Sequence, residues 1–244
     1  MIKNFNQWLQ PENWFNLCET WGTLLFLAVF PCLIFAWVCG LCLAPTDVQQ
    51  GEVYRIIYVH VPAAAMSLGI YAALGVCAIC FLVTRVVMFD YLALSMSKVG
   101  ALFTLLSLVT GSIWGMPTWG TWWIWDARLT AQFVLLVIYL SYIAVRQGVR
   151  PERLARIYAS VVAMIGLIDL PIIHFSVQWW STLHQPPTLF KFAKPSIDPE
   201  MLWALIICLM TYGLIALLLV LLTLREDLLQ HCRQKQWVKS RQSS

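Results

Sequence analysis

The 244 residues are 60% hydrophobic and only 11% charged, whereas a soluble domain carries about 25% charged residues. The formal charge of +4 is too small to point to nucleic acid. No soluble fold of this length needs so much apolar surface, so the composition implies an integral membrane protein.

An apolar helix needs about 20 residues to cross a bilayer core of about 30 Å, and six runs qualify. Before the first lies "NQWLQPENWFNLCETWG", polar and aromatic rather than basic, which argues against a cleaved signal peptide. The first run covers about residues 21–43. The second, about 61–83, follows "YVHVP", and the third, about 99–114, is short and merges with a Trp-rich stretch. The fourth covers about 129–145, the fifth about 157–175 and the sixth about 201–224. Backbone groups in lipid must be satisfied within the segment, so all six are expected to be helices. The expected architecture is one all-α membrane domain over 1–244. It has a six-helix core at about 21–224 and a basic cytoplasmic tail at about 225–244, "REDLLQHCRQKQWVKSRQSS".

Six spans place both termini on one side. Lys3, Arg85, Lys98, Arg146, Arg150, Arg153, Arg156, Arg225, Arg233, Lys235, Lys239 and Arg241 fall there, against Arg55, Arg128, Lys191 and Lys194 on the other. By the positive-inside bias the termini are expected in the cytoplasm. The loops near 44–60, 115–128 and 176–200 then face outward.

Two Cys pairs have C-x-x-C spacing, Cys39/Cys42 and Cys77/Cys80. Such spacing suits a redox pair or a metal site. Cys77 and Cys80 lie within the second apolar run, where a thiolate is costly. Cys39 and Cys42 lie at the outer end of the first. Neither pair is followed by His, so neither is a covalent c-type heme attachment site. The plainer reading of all four is small apolar packing.

The outward loops hold the unusual chemistry. "WGTWWIWDARLT" (119–130) contains Trp119, Trp122, Trp123 and Trp125, and Trp114 lies just upstream. An interfacial belt accounts for one or two indoles per helix end. Five beside Gly120, Asp126 and Arg128 fit better as a stacking platform for a flat aromatic ligand. Arg128 is placed to bind an anionic edge group, because guanidinium grips carboxylate bidentately. Asp126 would orient Arg128 or an indole N–H; alternatively the two form a plain surface pair.

Three histidines fall near the outer face. His60 precedes Pro62, and Pro is tolerated in a helix's first turn, so His60 is expected just outside the second helix. His184 lies in the third outer loop, where "QPP" should hold the backbone extended. His174 sits near the outer end of the fifth span, as a ligand or a packing residue. Neutral imidazole ligates heme iron well, and His60 and His184 flank the Trp loop in sequence. Zinc would want three or four ligands, and no tight His/Cys cluster offers them. Arg55 contacts a heme propionate, faces anionic lipid or pairs with Glu52. Asp169 is a lone intramembrane acid, a functional suspect by default, or a hydrogen-bonding group near the Pro171 break.

"WGTWWIWD" fits the W-G-x-x-W-x-W-D signature of the membrane proteins that handle heme in cytochrome c biogenesis. Trp119, Gly120, Trp123, Trp125 and Asp126 fill its fixed positions and Trp122 a free one. With "YRIIYVHVPAA", "TGSIWG", "DARLT", "LPIIHFSVQWWSTLHQ" and "SIDP", the chain resembles the CcmC heme exporter family over roughly residues 40 to 200. The resemblance implies heme b held non-covalently at the outer face of the bacterial inner membrane, with His60 and His184 as axial ligands. It also implies the heme chaperone CcmE, the small membrane protein CcmD and the ABC transporter CcmAB as partners, and no enzymatic activity. The two C-x-x-C pairs are outside that family's pattern. A heme permease and a membrane thiol oxidoreductase using Cys39 and Cys42 are the rival readings.

Overall fold

The computed structural model describes residues 10–184 and 197–232, which form helices and their connections. The helices are α1 (Pro11–Trp37), α2 (Ile57–Thr84), α3 (Val87–Trp119), α4 (Ala127–Gly148), α5 (Glu152–Gly166), α6 (Asp169–Trp179) and α7 (Pro199–His231). Six helical stretches are long and apolar enough to cross a membrane, with α5 and α6 together forming the fifth. The expected all-α, six-span architecture is therefore present. Lys3, Lys191, Lys194, "QPP" and residues 233–244 of the tail lie outside the described residues.

The helices outrun the apolar stretches. The third apolar run begins near residue 99, yet α3 starts at Val87, because its polar residues are neutralised inside the bundle. Buried Asp90 receives Nε and Nη2 of Arg146, at 3.0 and 2.8 Å. Glu152 accepts from both Arg146 and Arg156. Lys98 pairs with buried Asp227, which also accepts from the Ser95 hydroxyl. α7 likewise runs on to His231, so residues 225–231 of the expected tail are helical.

The second helix corrects one expectation. His60 lies within it, not outside, because α2 begins at Ile57 and a 3-10 turn (Glu52–Ile56) leads in. Pro62 cannot donate to the Tyr58 carbonyl, but packing holds the first turn without that bond. Ile57 and Tyr58 are buried in an apolar cluster with Ala36, Leu205 and Cys208. His60 is thus carried by a rigid element rather than by a loop.

α2 and α3 pack side by side through the centre, with α4, α5 and α6 on one flank and α7 and α1 on the other. One core cluster joins Tyr71, Leu94, Leu135, Tyr139 and Ile173 across α2 to α6. A second joins Phe15, Met88, Tyr91 and Leu228 at the end of the bundle where both described chain ends lie. α1 is the outlying helix, with Phe26, Leu27 and Phe30 each about two-thirds exposed (66–70%). Such a face suits lipid.

Candidate functional site

At the opposite end from the chain ends, α2, α3, α4 and α6 enclose a cleft of about 770 Å³, counting its open mouth. His60, Ala64 and Leu68 face it from successive turns of α2, the i, i+4, i+8 stripe of one helix face. α3 contributes Ser107, Gly111, Trp114 and Trp119, α4 contributes Arg128 and Gln132, and α6 contributes Ile173. Gln50 and His184 close it from the two flanking loops.

The Trp-rich stretch turns between two helices. Trp119 is the last residue of α3, and Gly120 follows at φ +76°, donating its N–H to the Met116 carbonyl at 3.0 Å. That left-handed conformation is the ordinary helix stop, and it favours Gly because a Cβ strains there. Asp126 then caps α4, its Oδ1 accepting from the Leu129 N–H at 2.8 Å. Asp126 therefore serves the helix start and forms no ion pair with Arg128. It borders a separate outer groove rather than the cleft.

The five indoles divide. Trp114, Trp119 and Trp123 line the cleft. Trp122 and Trp125 are 58% and 74% exposed and do not. Trp125 instead packs edge-on against Trp123 and Phe133, with centroids 5.3 and 6.2 Å away. Trp114 donates Nε1 to the Gln50 side-chain carbonyl at 2.8 Å and stands edge-on to His60 at 5.7 Å.

The two histidines meet. His60 and His184 are remote in sequence, yet their ring centroids are 6.3 Å apart and their planes are tilted by 38°. The His184 ring lies 6.0 Å from Trp119. His60 is 8% exposed, and its Nδ1 lies 3.1 Å from the Thr110 hydroxyl. Arg128 reaches the cleft without an ion pair among the described residues, and its Nη1 is buried with no hydrogen-bond partner. Trp123 Nε1 is likewise buried and unpartnered. Two unused donors beside paired imidazoles and indole faces suit a flat, metal-bearing molecule with an anionic edge.

Other candidates lie elsewhere. Arg55 pairs with Glu52 and donates Nη1 to the Ala44 carbonyl at 2.8 Å, tying its turn to the π-helical end of the first span (Val38–Leu43). It does not line the cleft. His174 packs edge-on against Phe175 at 4.7 Å, also outside the lining. Asp169 opens α6 and borders the outer groove with Trp125 and Trp180. The described cysteines are all free. Cys39 and Cys42 lie in the π-helical turn, and Cys77 and Cys80 lie in α2.

Gln50, Thr110 and Gln132 escape the sequence reading. Gln132 donates to the Ser67 hydroxyl at 3.0 Å within the bundle. A Gln inside an apolar run is a usable signal, since polar side chains at membrane depth are costly and tend to be functional. Among the described residues, no group of three or more His, Cys, Asp or Glu side chains is arranged to hold a metal ion.

Comparison with known proteins identifies the family. The family model described as heme exporter protein C matches residues 4–239. Heme exporter protein C of Escherichia coli is 42% identical over 238 residues, covering 98% of this chain and 96% of that protein. Its counterpart in Haemophilus influenzae is 39% identical over 240 residues, 98% of each. A putative cytochrome c biosynthesis ccmC-like mitochondrial protein of Marchantia polymorpha is 48% identical over 181 residues, 74% of each. A match of this length and identity shows that the chain belongs to the heme exporter protein C family.

Proposed function

We propose that this protein binds heme at the outer face of the bacterial inner membrane and hands it to the chaperone CcmE for c-type cytochrome maturation. It would work beside CcmD and the CcmAB transporter. The observation that carries the reading is the His60–His184 pair. Imidazole nitrogens bond metals at about 2 Å, so two rings on opposite sides of one ion have centroids roughly 6–6.5 Å apart. The 6.3 Å between these rings fits that spacing. Two side-chain ligands suffice where a macrocycle supplies the rest, as heme b does.

The remaining residues take their roles from the same cleft. Trp114, Trp119 and Trp123 bury the porphyrin, each aromatic contact adding about 0.5–1.5 kcal/mol beyond burial. Arg128 receives a propionate, which gives its buried guanidinium a direct partner. Arg55 acts at a distance, by fixing the first outer loop from which Gln50 reaches the cleft. Exposed Trp122 and Trp125 stay available to the acceptor at the cleft's rim. The protein's own work is binding and orientation, and no group is assigned a catalytic step.

Absorption spectroscopy of the protein purified with heme tests this. The wild type should show low-spin, six-coordinate bands. His60→Ala and His184→Ala should each lose them and regain them with added imidazole. Unchanged axial-ligand spectra in both variants would defeat the assignment.

A further inference from the structure

The "TGSIWG" segment of α3 (residues 110–115) has no assigned role beyond Trp114, and its first two residues crowd His60. Three observations meet on that one imidazole. Thr110 Oγ1 lies 3.1 Å from His60 Nδ1. The same hydroxyl lies 2.7 Å from the Leu106 carbonyl and 3.2 Å from the Ser107 carbonyl; donating to either, it accepts from His60. With the ring proton on Nδ1, the Nε2 lone pair is left free to bind iron. Trp114, one turn later on α3, stands edge-on to the ring at 5.7 Å and is itself held by Gln50. Between them, a Cβ on Gly111 would sit 3.0 Å from His60 Cε1. That is tighter than an ordinary contact, so any side chain there makes the imidazole shift.

We propose that Thr110 and Gly111 are positioning residues for heme ligation: Thr110 fixes the tautomer of His60, and Gly111 makes room for its ring. The inference rests on His60 being an iron ligand. Partners in the next shell hold a ligating His in orientation and raise its basicity, and losing one costs about 10- to 100-fold in affinity for metals. His60 is gripped by a hydroxyl, an indole and a close backbone within one stretch of helix.

The experiment compares wild type, Thr110→Val, Thr110→Ser, Gly111→Ala and His60→Ala, each purified in detergent and titrated with iron protoporphyrin IX. Absorption spectra, heme affinity and midpoint reduction potential are read for each. Valine keeps the shape of threonine and removes only the hydroxyl. Thr110→Val should weaken heme binding about 10-fold or more and shift the potential, while Thr110→Ser stays at wild type. Gly111→Ala should show a partly high-spin spectrum. Thr110→Val matching wild type in affinity, spectrum and potential overturns the role of Thr110, and a wild-type spectrum for Gly111→Ala overturns that of Gly111. The His60→Ala arm separates the two levels: if it keeps the wild-type spectrum, the ligand assignment itself is wrong. Unfolding midpoints of the heme-free variants show whether any loss is merely one of folding.

Discussion

Arg128→Gln offers the most direct test of how the cleft reads its ligand. The guanidinium lies in the cleft with Nη1 buried and unpartnered, and Asp126, two residues earlier, is engaged as a helix cap. A propionate seated there forms a charge-assisted hydrogen bond, worth about 1.5–3 kcal/mol. At about 1.4 kcal/mol per factor of ten, that is about 10- to 150-fold in dissociation constant. The assay titrates the apoprotein in detergent with iron protoporphyrin IX and with its dimethyl ester, followed by absorption. Wild type should prefer the free diacid by that factor. Arg128→Gln should bind both alike, at the wild type's affinity for the ester. The heme-free protein should respond in the opposite sense. Removing a buried cation with an unpartnered nitrogen relieves a cost of about 1–3 kcal/mol, so the unfolding midpoint rises by a few degrees. Equal wild-type affinity for diacid and ester, or a preference that survives in Arg128→Gln, refutes the propionate role.

Three further outcomes follow from the same contacts. Asp90→Asn leaves Arg146 buried with its charge poorly compensated, and breaking such a pair costs about 3–5 kcal/mol; detergent thermal melts should show a large fall, largely recovered when Asp90→Leu is combined with Arg146→Met. Asp126→Ala removes the cap of α4 at about 1 kcal/mol and loosens the turn carrying Arg128, so heme retention drops, whereas Asp126→Asn, an equally good cap, should keep it. The double variant Cys39→Ser, Cys42→Ser should hold wild-type heme levels and maturation of c-type cytochromes; loss of maturation with heme binding intact would favour the thiol chemistry instead.

The six spans are legible because lipid allows one backbone solution and apolar runs announce it. Their ends are not. Asp90, Ser95 and Lys98 look like loop residues in a hydropathy reading, yet each finds a partner in the bundle. Those partners are 56, 132 and 129 positions away, and such separations leave no local pattern. His60 defeats a sound local rule, the tolerance of Pro for first turns, because tertiary packing starts the helix one turn earlier. Asp126 shows the reverse. An Asp directly before an apolar periodic stretch is a helix-start signal, and that local signal outranks a pairing with Arg128. Within the cleft, the types of residue are legible as chemistry. Which indoles face inward is not, since three of the five turn in and two turn out.

The two ends of the bundle treat polar groups differently, and that contrast bears on function. A charge carried into a membrane is costly unless something offsets it. At the end holding the chain ends, Asp90, Arg146 and Asp227 are each matched by opposite charges. Arg156 leaves one nitrogen without a hydrogen bond but lies in ion pairs with Asp90 and Glu152. At the cleft end, Arg128 has no such ion pair among the described residues, and Trp123 leaves its indole N–H unused. A chain that neutralises Asp90, Glu152 and Asp227 at one end does not lack the means to neutralise a guanidinium at the other. The unmatched donors lie where two imidazoles and three indoles already converge. Under the proposed heme-binding function, an anionic, planar ligand seated there would supply the partner that both donors lack.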